Sequence, residues 1–166
     1  MRWIYVLGLD NVGKTSLLTF LETGEMGDTN PTLGVLSKRL TIADKLVTFQ
    51  EFGGQEDFRK NWLNDETWGY ARKKAVSPAC AIVYVMDASD QRWEDTKEWF
   101  AQVTEGFAKP HLIIINKIDL VDGVDTQALL DQAGIPSDIE VATTSAKEGT
   151  NVLEAFKALI EKKFSD

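Results

Sequence analysis

Gly8-Leu9-Asp10-Asn11-Val12-Gly13-Lys14-Thr15 spells the complete pattern G-x-x-x-x-G-K-[ST]. Its flanks decide how it is read. The apolar run Trp3-Ile4-Tyr5-Val6-Leu7 before it reads as a buried strand. Thr15-Ser16-Leu17-Leu18-Thr19-Phe20-Leu21 after it carries a helical pattern. Strand, glycine-rich turn and helix are the context in which this string makes a phosphate-binding loop. Gly8 and Gly13 permit a tight turn whose successive N–H groups face inward on an anion. Lys14 adds a charge at the β- and γ-phosphates, and the Thr15 hydroxyl suits Mg²⁺. The helix opening at Lys14 turns its positive end to the same anion. Asp10, Asn11, Val12, Gly13, Lys14, Thr15 and Ser16 therefore form the candidate site for a nucleoside phosphate.

At 166 residues the chain suits one domain, residues 1–166, with a substantial core. It is 43% apolar and 27% charged, which places it among ordinary globular chains. The net charge of −8 argues against nonspecific binding to nucleic acid or anionic lipid. Arg72-Lys73-Lys74, the one basic run, reads as a solvated face. The single cysteine, Cys80, cannot form an internal disulfide; it reads as a small buried hydrophobe and fits a reducing cytoplasm. There is no run of 18 apolar residues to span a membrane and no signal-peptide pattern. With Arg at position 2 and no cysteine near the last residue, the chain as given carries neither a myristoylation nor a prenylation signal.

Strand-like and helical stretches alternate from here on. Residues 2–7 read as a strand and 14–23 as a helix. Residues 24–34 are a Gly-, Pro- and Thr-rich loop. Residues 35–42 and 46–52 read as a hairpin around Ala43-Asp44-Lys45. After a Gly-Gly loop at 53–56, residues 57–76 are mixed and partly helical. Ala79 to Met86 is a buried strand. Asp90 is placed to cap a helix reaching Phe107, with Trp93, Phe100, Val103 and Phe107 at core spacing. Residues 112–115 form a strand, 126–133 a short helix and 139–142 a short strand. Residues 151–163 form a last amphipathic helix with Val152, Phe156, Leu159 and Ile160 on one side. Apolar strands separated by helices predict a three-layer α/β sandwich. Its sheet is mostly parallel, with one antiparallel strand at the edge.

In such sheets a ligand sits beyond the carboxyl ends of the strands, so residues just after strands carry the most information. Asn116-Lys117-Ile118-Asp119 follows the strand at 112–115. A carboxylate at Asp119 matches the paired N1–H and N2–H₂ donors of guanine, which adenine lacks. A buried polar group without its partner costs about 1–3 kcal/mol, so the mismatch selects. Asn116 is expected to brace neighbouring loops, and the Lys117 stem to cover the base. Ser145 and the Ala146 backbone N–H, with Lys147 beside them, follow the strand at 139–142 and are candidates to support Asp119 and the guanine carbonyl. Gly53-Gly54-Gln55 follows the strand at 46–52. Glycine there lets backbone N–H groups approach a terminal phosphate, with Gly54 nearest, and Gln55 suits the orientation of an attacking water. Thr32, in the 24–34 loop, is the candidate for contact with both Mg²⁺ and the γ-phosphate.

Together these motifs resemble the small GTPase family over essentially the whole chain. Gly8 to Thr15, Pro31-Thr32-Leu33-Gly34 and Gly53-Gly54-Gln55 are most similar to the Arf/Arl/Sar branch, which carries Asp at the position of Asp10 and a double glycine before the catalytic glutamine. The resemblance implies the P-loop NTPase fold with six strands and about five helices. It implies binding of GDP or GTP with Mg²⁺, and two switch segments, 24–34 and 53–76, ordered by the γ-phosphate. Exchange factor, activating protein and effectors would meet those segments. Three features depart from the branch. Glu51 stands where the family has Asp, the carboxylate that holds Mg²⁺ through water. The segment after Gln55 is longer than in Arf proteins, contains Trp62, Trp68 and Tyr70, and resembles that of Rag GTPases and MglA-like proteins. The first strand begins at once, without the branch's N-terminal amphipathic helix, so membrane association would rest on a segment not present here.

The expectation is a cytoplasmic GTP-binding switch with slow hydrolysis. Lys14, Thr32 and Gln55 are its candidate catalytic groups, and Thr15, Thr32 and Glu51 its metal set. With no evident arginine finger in cis, a partner would raise the rate by roughly 10³–10⁵. Two alternatives stay open: a non-hydrolysing scaffold holding one nucleotide permanently, and an ATP-using P-loop enzyme, against which Asp119 argues.

Overall fold

The computed structural model describes residues 1–61 and 64–165. Trp62, singled out above, lies outside them. In chain order the elements are β1 (Arg2–Gly8), α1 (Lys14–Thr23), β2 (Val35–Ile42), β3 (Lys45–Phe52), α2 (Glu56–Asn61), α3 (Asp65–Ala75), β4 (Cys80–Asp87), α4 (Trp93–Gly106), β5 (Leu112–Asn116), a 3₁₀ turn (Ile118–Leu120), α5 (Thr126–Gln132), β6 (Glu140–Thr143) and α6 (Val152–Lys163). The six strands form one sheet in the order β2-β3-β1-β4-β5-β6. Only the β2–β3 pair is antiparallel. The carboxyl ends of β1, β3, β4, β5 and β6 therefore share one edge, where the loops that follow them meet.

Burial explains the strand sequences. Every residue of β4 and β5 is buried, so both are continuous apolar runs. β2, at the sheet's edge, alternates exposed with half-buried residues. Phe49 of β3 packs edge-on against Phe156 of α6 at 5.7 Å. Phe52 meets Tyr5, Trp68 of α3 and Phe107, which closes α4, at 5.0, 6.0 and 5.9 Å. Phe49 and Phe52 are three residues apart on a strand and so face opposite sides. Helices therefore cover both faces of the sheet. Tyr84 carries its hydroxyl into the core and donates it to the Thr96 carbonyl of α4 at 3.1 Å, which satisfies a polar atom that burial would otherwise strand.

One expectation is made more specific and one is corrected. Residues 57–76 form two helices, α2 and α3, which brings the α-helices to six among the described residues. The second opens at Asn64, whose side chain caps it by accepting from the Glu66 N–H at 2.9 Å. Asp90 does not cap α4. Arg92 holds the N-cap position, and the Asp90 carboxylate accepts from the Arg92 N–H and guanidinium instead. Lys74, read above as part of a solvated face, lies with its ammonium 3.4 Å from the Trp3 ring centroid and 4.6 Å from that of Tyr70, tying α3 to the start of β1. Cys80 is fully buried. Among the described residues no helix is long and apolar enough to cross a membrane.

The hairpin turns through Ala43 and Asp44 alone, with φ of 52° and 58°, and Ile42 pairs with Lys45. Both central residues are left-handed, the type I′ geometry that matches strand twist. Alanine is a poor occupant of that region. Replacing the pair by Asn-Gly (Ala43→Asn with Asp44→Gly) should stabilise the fold by about 1 kcal/mol, read as a higher urea midpoint at unchanged slope.

Candidate functional site

At the carboxyl edge of the sheet lies a cleft of about 400 Å³, lined by Asp10, Asn11, Gly13, Lys14, Thr15, Ser16, Thr32, Glu51, Gly54, Gln55 and Lys117, among others. A second hollow of about 190 Å³ adjoins it, sharing Gly13, Ser16, Met26 and Lys117 and adding Asn116, Asp119, Leu120, Ala146 and Lys147. Every candidate residue named from the sequence lines one or other hollow except Val12 and Ser145, which are buried behind them.

The loop between β1 and α1 owes its shape to a few backbone positions. Gly13 has φ 97°, and a Cβ there would stand 2.2 Å from Asn116 Nδ2, so only glycine fits. The Lys14 side chain, 4% exposed, lies inside the loop. Its ammonium donates to the carbonyls of Gly8, at 3.2 Å, and of Leu9. Burial pushes its pKa down from 10.5 to about 8; Glu51 and Asp10 oppose that shift, while Arg92 and Arg59 add to it.

Thr15, Thr32 and Glu51 converge. Thr15 Oγ1 lies 2.7 and 2.9 Å from the two Glu51 carboxylate oxygens. Thr32 Oγ1 donates to Glu51 Oε1 at 2.9 Å and stands 2.9 Å from Thr15 Oγ1. Each hydroxyl spends its proton on the carboxylate and keeps lone pairs for a cation. Two hydroxyls and a buried carboxylate are hard oxygen donors of the kind Mg²⁺ takes. With its extra methylene, Glu51 still reaches both threonines from β3.

The double glycine brings three loops into contact. A Cβ on Gly53 would lie 2.6 Å from the Thr32 carbonyl, and one on Gly54 2.2–2.5 Å from the Leu9–Asp10 backbone. The Gly53 N–H is spent on the Gly34 carbonyl at 2.7 Å, and Gly54 is the one of the pair that lines the cleft. Arg59 of α2 donates Nε to the Gly54 carbonyl at 2.9 Å.

At the far end, Asn116 is 1% exposed. Its Nδ2 donates to the Val12 carbonyl at 3.1 Å, and its Oδ1 accepts from the Thr144 hydroxyl at 2.9 Å and the Ala146 N–H at 3.3 Å. The bracing expected of Asn116 is thus present, while the Ala146 N–H serves Asn116 rather than Asp119. Ser145 Oγ donates to Asp119 Oδ1 at 2.7 Å and so turns that carboxylate into a fixed orientation. Lys117, left-handed at φ 63°, bridges from its Nζ to the Asn11 carbonyl at 2.6 Å and to Asp87 Oδ2 at 3.0 Å.

Two residues escaped the sequence reading. Asp87 ends β4 as an acid on an otherwise apolar strand, at the ligand edge of the sheet, and that position was the available signal. Arg92 reaches Asp10 from 82 residues away, with Nη1 to Oδ1 at 2.6 Å and Nη2 to the Asp10 carbonyl at 2.8 Å. Only the fold shows that pairing.

The chain matches the model of the ADP-ribosylation factor family over residues 1–163. It is 34% identical over 158 residues to ADP-ribosylation factor-like protein 8c of Arabidopsis thaliana, covering 89% of this chain and 79% of that protein. It is 33% identical over 123 residues to an ADP-ribosylation factor of Encephalitozoon cuniculi; that match spans 72% of this chain but only 55% of the relative. Among solved structures, the Arl6 small GTPase of Trypanosoma brucei with a bound GppNp superimposes with a TM-score of 0.73. That match covers 98% of this chain and 97% of the other at 23% identity, which establishes the fold alone.

The buried ammonium makes a pH prediction. With the folded pKa near 8 and the unfolded value near 10.5, holding Lys14 charged in the loop costs stability, a cost absent above 10.5 and complete below about 8. A polyphosphate seated on the loop restores the charged form. Lys14 should therefore take up a proton on binding above pH 8 and none near pH 6.5, where the nucleotide's own phosphate, of pKa about 6, releases protons instead. Calorimetry of nucleotide binding in buffers of differing ionisation enthalpy reads this directly; equal uptake at both pH values would contradict it.

Proposed function

This chain belongs to the ADP-ribosylation factor family, and we propose that it acts as a GTP-binding switch with slow intrinsic hydrolysis, cycling between GDP and GTP states to control partner binding. The observation that carries this reading is the joining of the two hollows. A loop built for phosphates runs without a break into a pocket whose one oriented carboxylate is Asp119. That carboxylate suits the paired donors of guanine, with Ser145 holding it and Lys117 alongside for the base.

The roles then follow position. The loop from Asp10 to Ser16 wraps the phosphates, with Lys14 leaving its two carbonyl partners for the β- and γ-oxygens. Thr15, Thr32 and Glu51 would hold Mg²⁺, whose charge offsets that of the β- and γ-phosphates. Gln55, in the cleft wall next to Gly54, orients the attacking water. Thr32 belongs to the 24–34 segment and Gln55 to the 53–76 segment. Both switches therefore touch the place of the terminal phosphate, and its loss frees them together. Exchange factor, activating protein and effectors read that difference. Cytoplasmic residence fits the single buried cysteine.

The test is binding of fluorescent GDP and ADP with and without Mg²⁺, followed by phosphate release from GTP. Tight, Mg²⁺-dependent guanine binding with slow multiple turnover is expected. Binding without turnover would favour the scaffold reading, and no preference for guanine would overturn the assignment of Asp119. Two variants divide the roles. Gln55→Leu should retain GTP and lose at least tenfold in hydrolysis. Asp119→Ala should weaken GDP by about 100-fold or more and narrow the gap to ADP, since the two donors of guanine lose a charged acceptor.

A further inference from the structure

Asp10 is an oddity in a pocket for polyanions. It is a carboxylate in the wall of the phosphate cleft, with its side chain 44% exposed. It sits at the Gly54–Gln55 end, since the Gly54 backbone packs against the Leu9–Asp10 peptide. That is the end opposite Asn116 and Asp119, where the terminal phosphate lies on the reading above. An unopposed charge there would repel a triphosphate more than a diphosphate, whose last phosphate stops short.

Arg92 opposes it. From the N-cap of α4 its guanidinium gives Nη1 to Asp10 Oδ1 at 2.6 Å and Nη2 to the Asp10 carbonyl at 2.8 Å, holding side chain and backbone at once. The same guanidinium is gripped from behind by Asp90, which accepts from Nε at 2.8 and 3.0 Å and from Nη2 at 2.6 Å. Asp90 also accepts from the Arg92 backbone N–H at 2.9 Å, so the whole residue is aimed. Three of the guanidinium's nitrogens are engaged, and Arg92 does not itself line the cleft. This is the geometry of a fixed clamp, not of a finger that reaches the reacting phosphate.

We infer that Arg92 is a positioning residue that fixes Asp10 and offsets its charge, and that the Asp90–Arg92–Asp10 chain thereby sets the balance between GTP and GDP. This rests on the guanine-nucleotide reading of the site. The phosphate loop accepts an acid at its rim because α4 supplies the compensating charge, and nucleotide preference is tuned from outside the pocket.

The experiment is a double-variant cycle read by dissociation constants for fluorescent GDP and a non-hydrolysable GTP analogue, with hydrolysis of bound GTP measured alongside. Parent protein that binds neither nucleotide would sink the guanine reading itself. With the parent binding both, Arg92→Ala should weaken the triphosphate about tenfold more than GDP. Asp10→Asn alone should shift that ratio less than Arg92→Ala does, and in the opposite direction, since one guanidinium shared with Asp90 offsets only part of the Asp10 charge. The double variant should return the ratio toward that of Asp10→Asn. Should Arg92→Ala not fold, Arg92→Gln, closer in shape and uncharged, carries the same expectation. Equal weakening of both nucleotides, or no rescue by Asp10→Asn, would show a merely structural arginine and overturn the proposal. So would slowed hydrolysis of bound GTP at an unchanged binding ratio, which would place Arg92 on the reacting phosphate.

Discussion

One buried amide holds the site together. Asn116 ends β5 at 1% exposure, and its side chain touches the phosphate loop through Val12 and the loop after β6 through Thr144 and Ala146. Three loops leaving three parallel strands would each be free to drift. A single side chain with one donor group and one acceptor, all satisfied, fixes their relative positions, and the low dielectric around it makes any broken contact expensive. Gly13 shows how tight the arrangement is, since a Cβ there would stand 2.2 Å from the Asn116 amide nitrogen. The glycine of the loop is as much a demand of Asn116 as of any phosphate.

The same logic of close approach runs to the other end of the cleft. Gly54 lies against the Leu9–Asp10 backbone, and Gly53 against the Thr32 carbonyl. A glycine pair is read first as freedom for φ and ψ. Here neither is left-handed, and what the missing side chains provide is room for three backbones to touch. The start of the 53–76 segment is thereby laid on the loop after β1, and the 24–34 segment on it.

Much of this is legible in the sequence. The strands and helices followed from apolar runs and their period, because a sheet covered on both faces leaves little choice of sequence. The motifs lay after strands because parallel strands point their carboxyl ends one way. What escaped were contacts between distant side chains and the start of α4. Asp90 looked like a cap because acids favour that place, but Arg92 offered its carboxylate a stronger partner. The Arg92–Asp10 pair has no local signal, since neither residue belongs to a pattern that points at the other. The basic run at 72–74 misled for a related reason: composition says charge meets water, yet Lys74 rests on Trp3, a residue far off in sequence.

The second switch shows how such long contacts serve the switch reading. α2 buries no residue, whereas α3 is pinned by Trp68 on Phe52 and by Lys74 on Trp3. α2 is held mainly from the site itself: Arg59 donates to the Gly54 carbonyl, and Phe58 lies 3.4 Å from where a Cβ of Gly34 would be. An element with no buried residues of its own has little local stability and takes its order from whatever it touches. α2 touches Gly54 and Gly34, the latter two residues beyond Thr32, and its Arg59 also lies 5.8 Å from the ring centroid of Trp99 on α4. On the proposed switch reading, α2 is the part of the segment that a terminal phosphate would order, while α3 is docked on the sheet. The 53–76 segment thus pairs a lightly held helix with an anchored one.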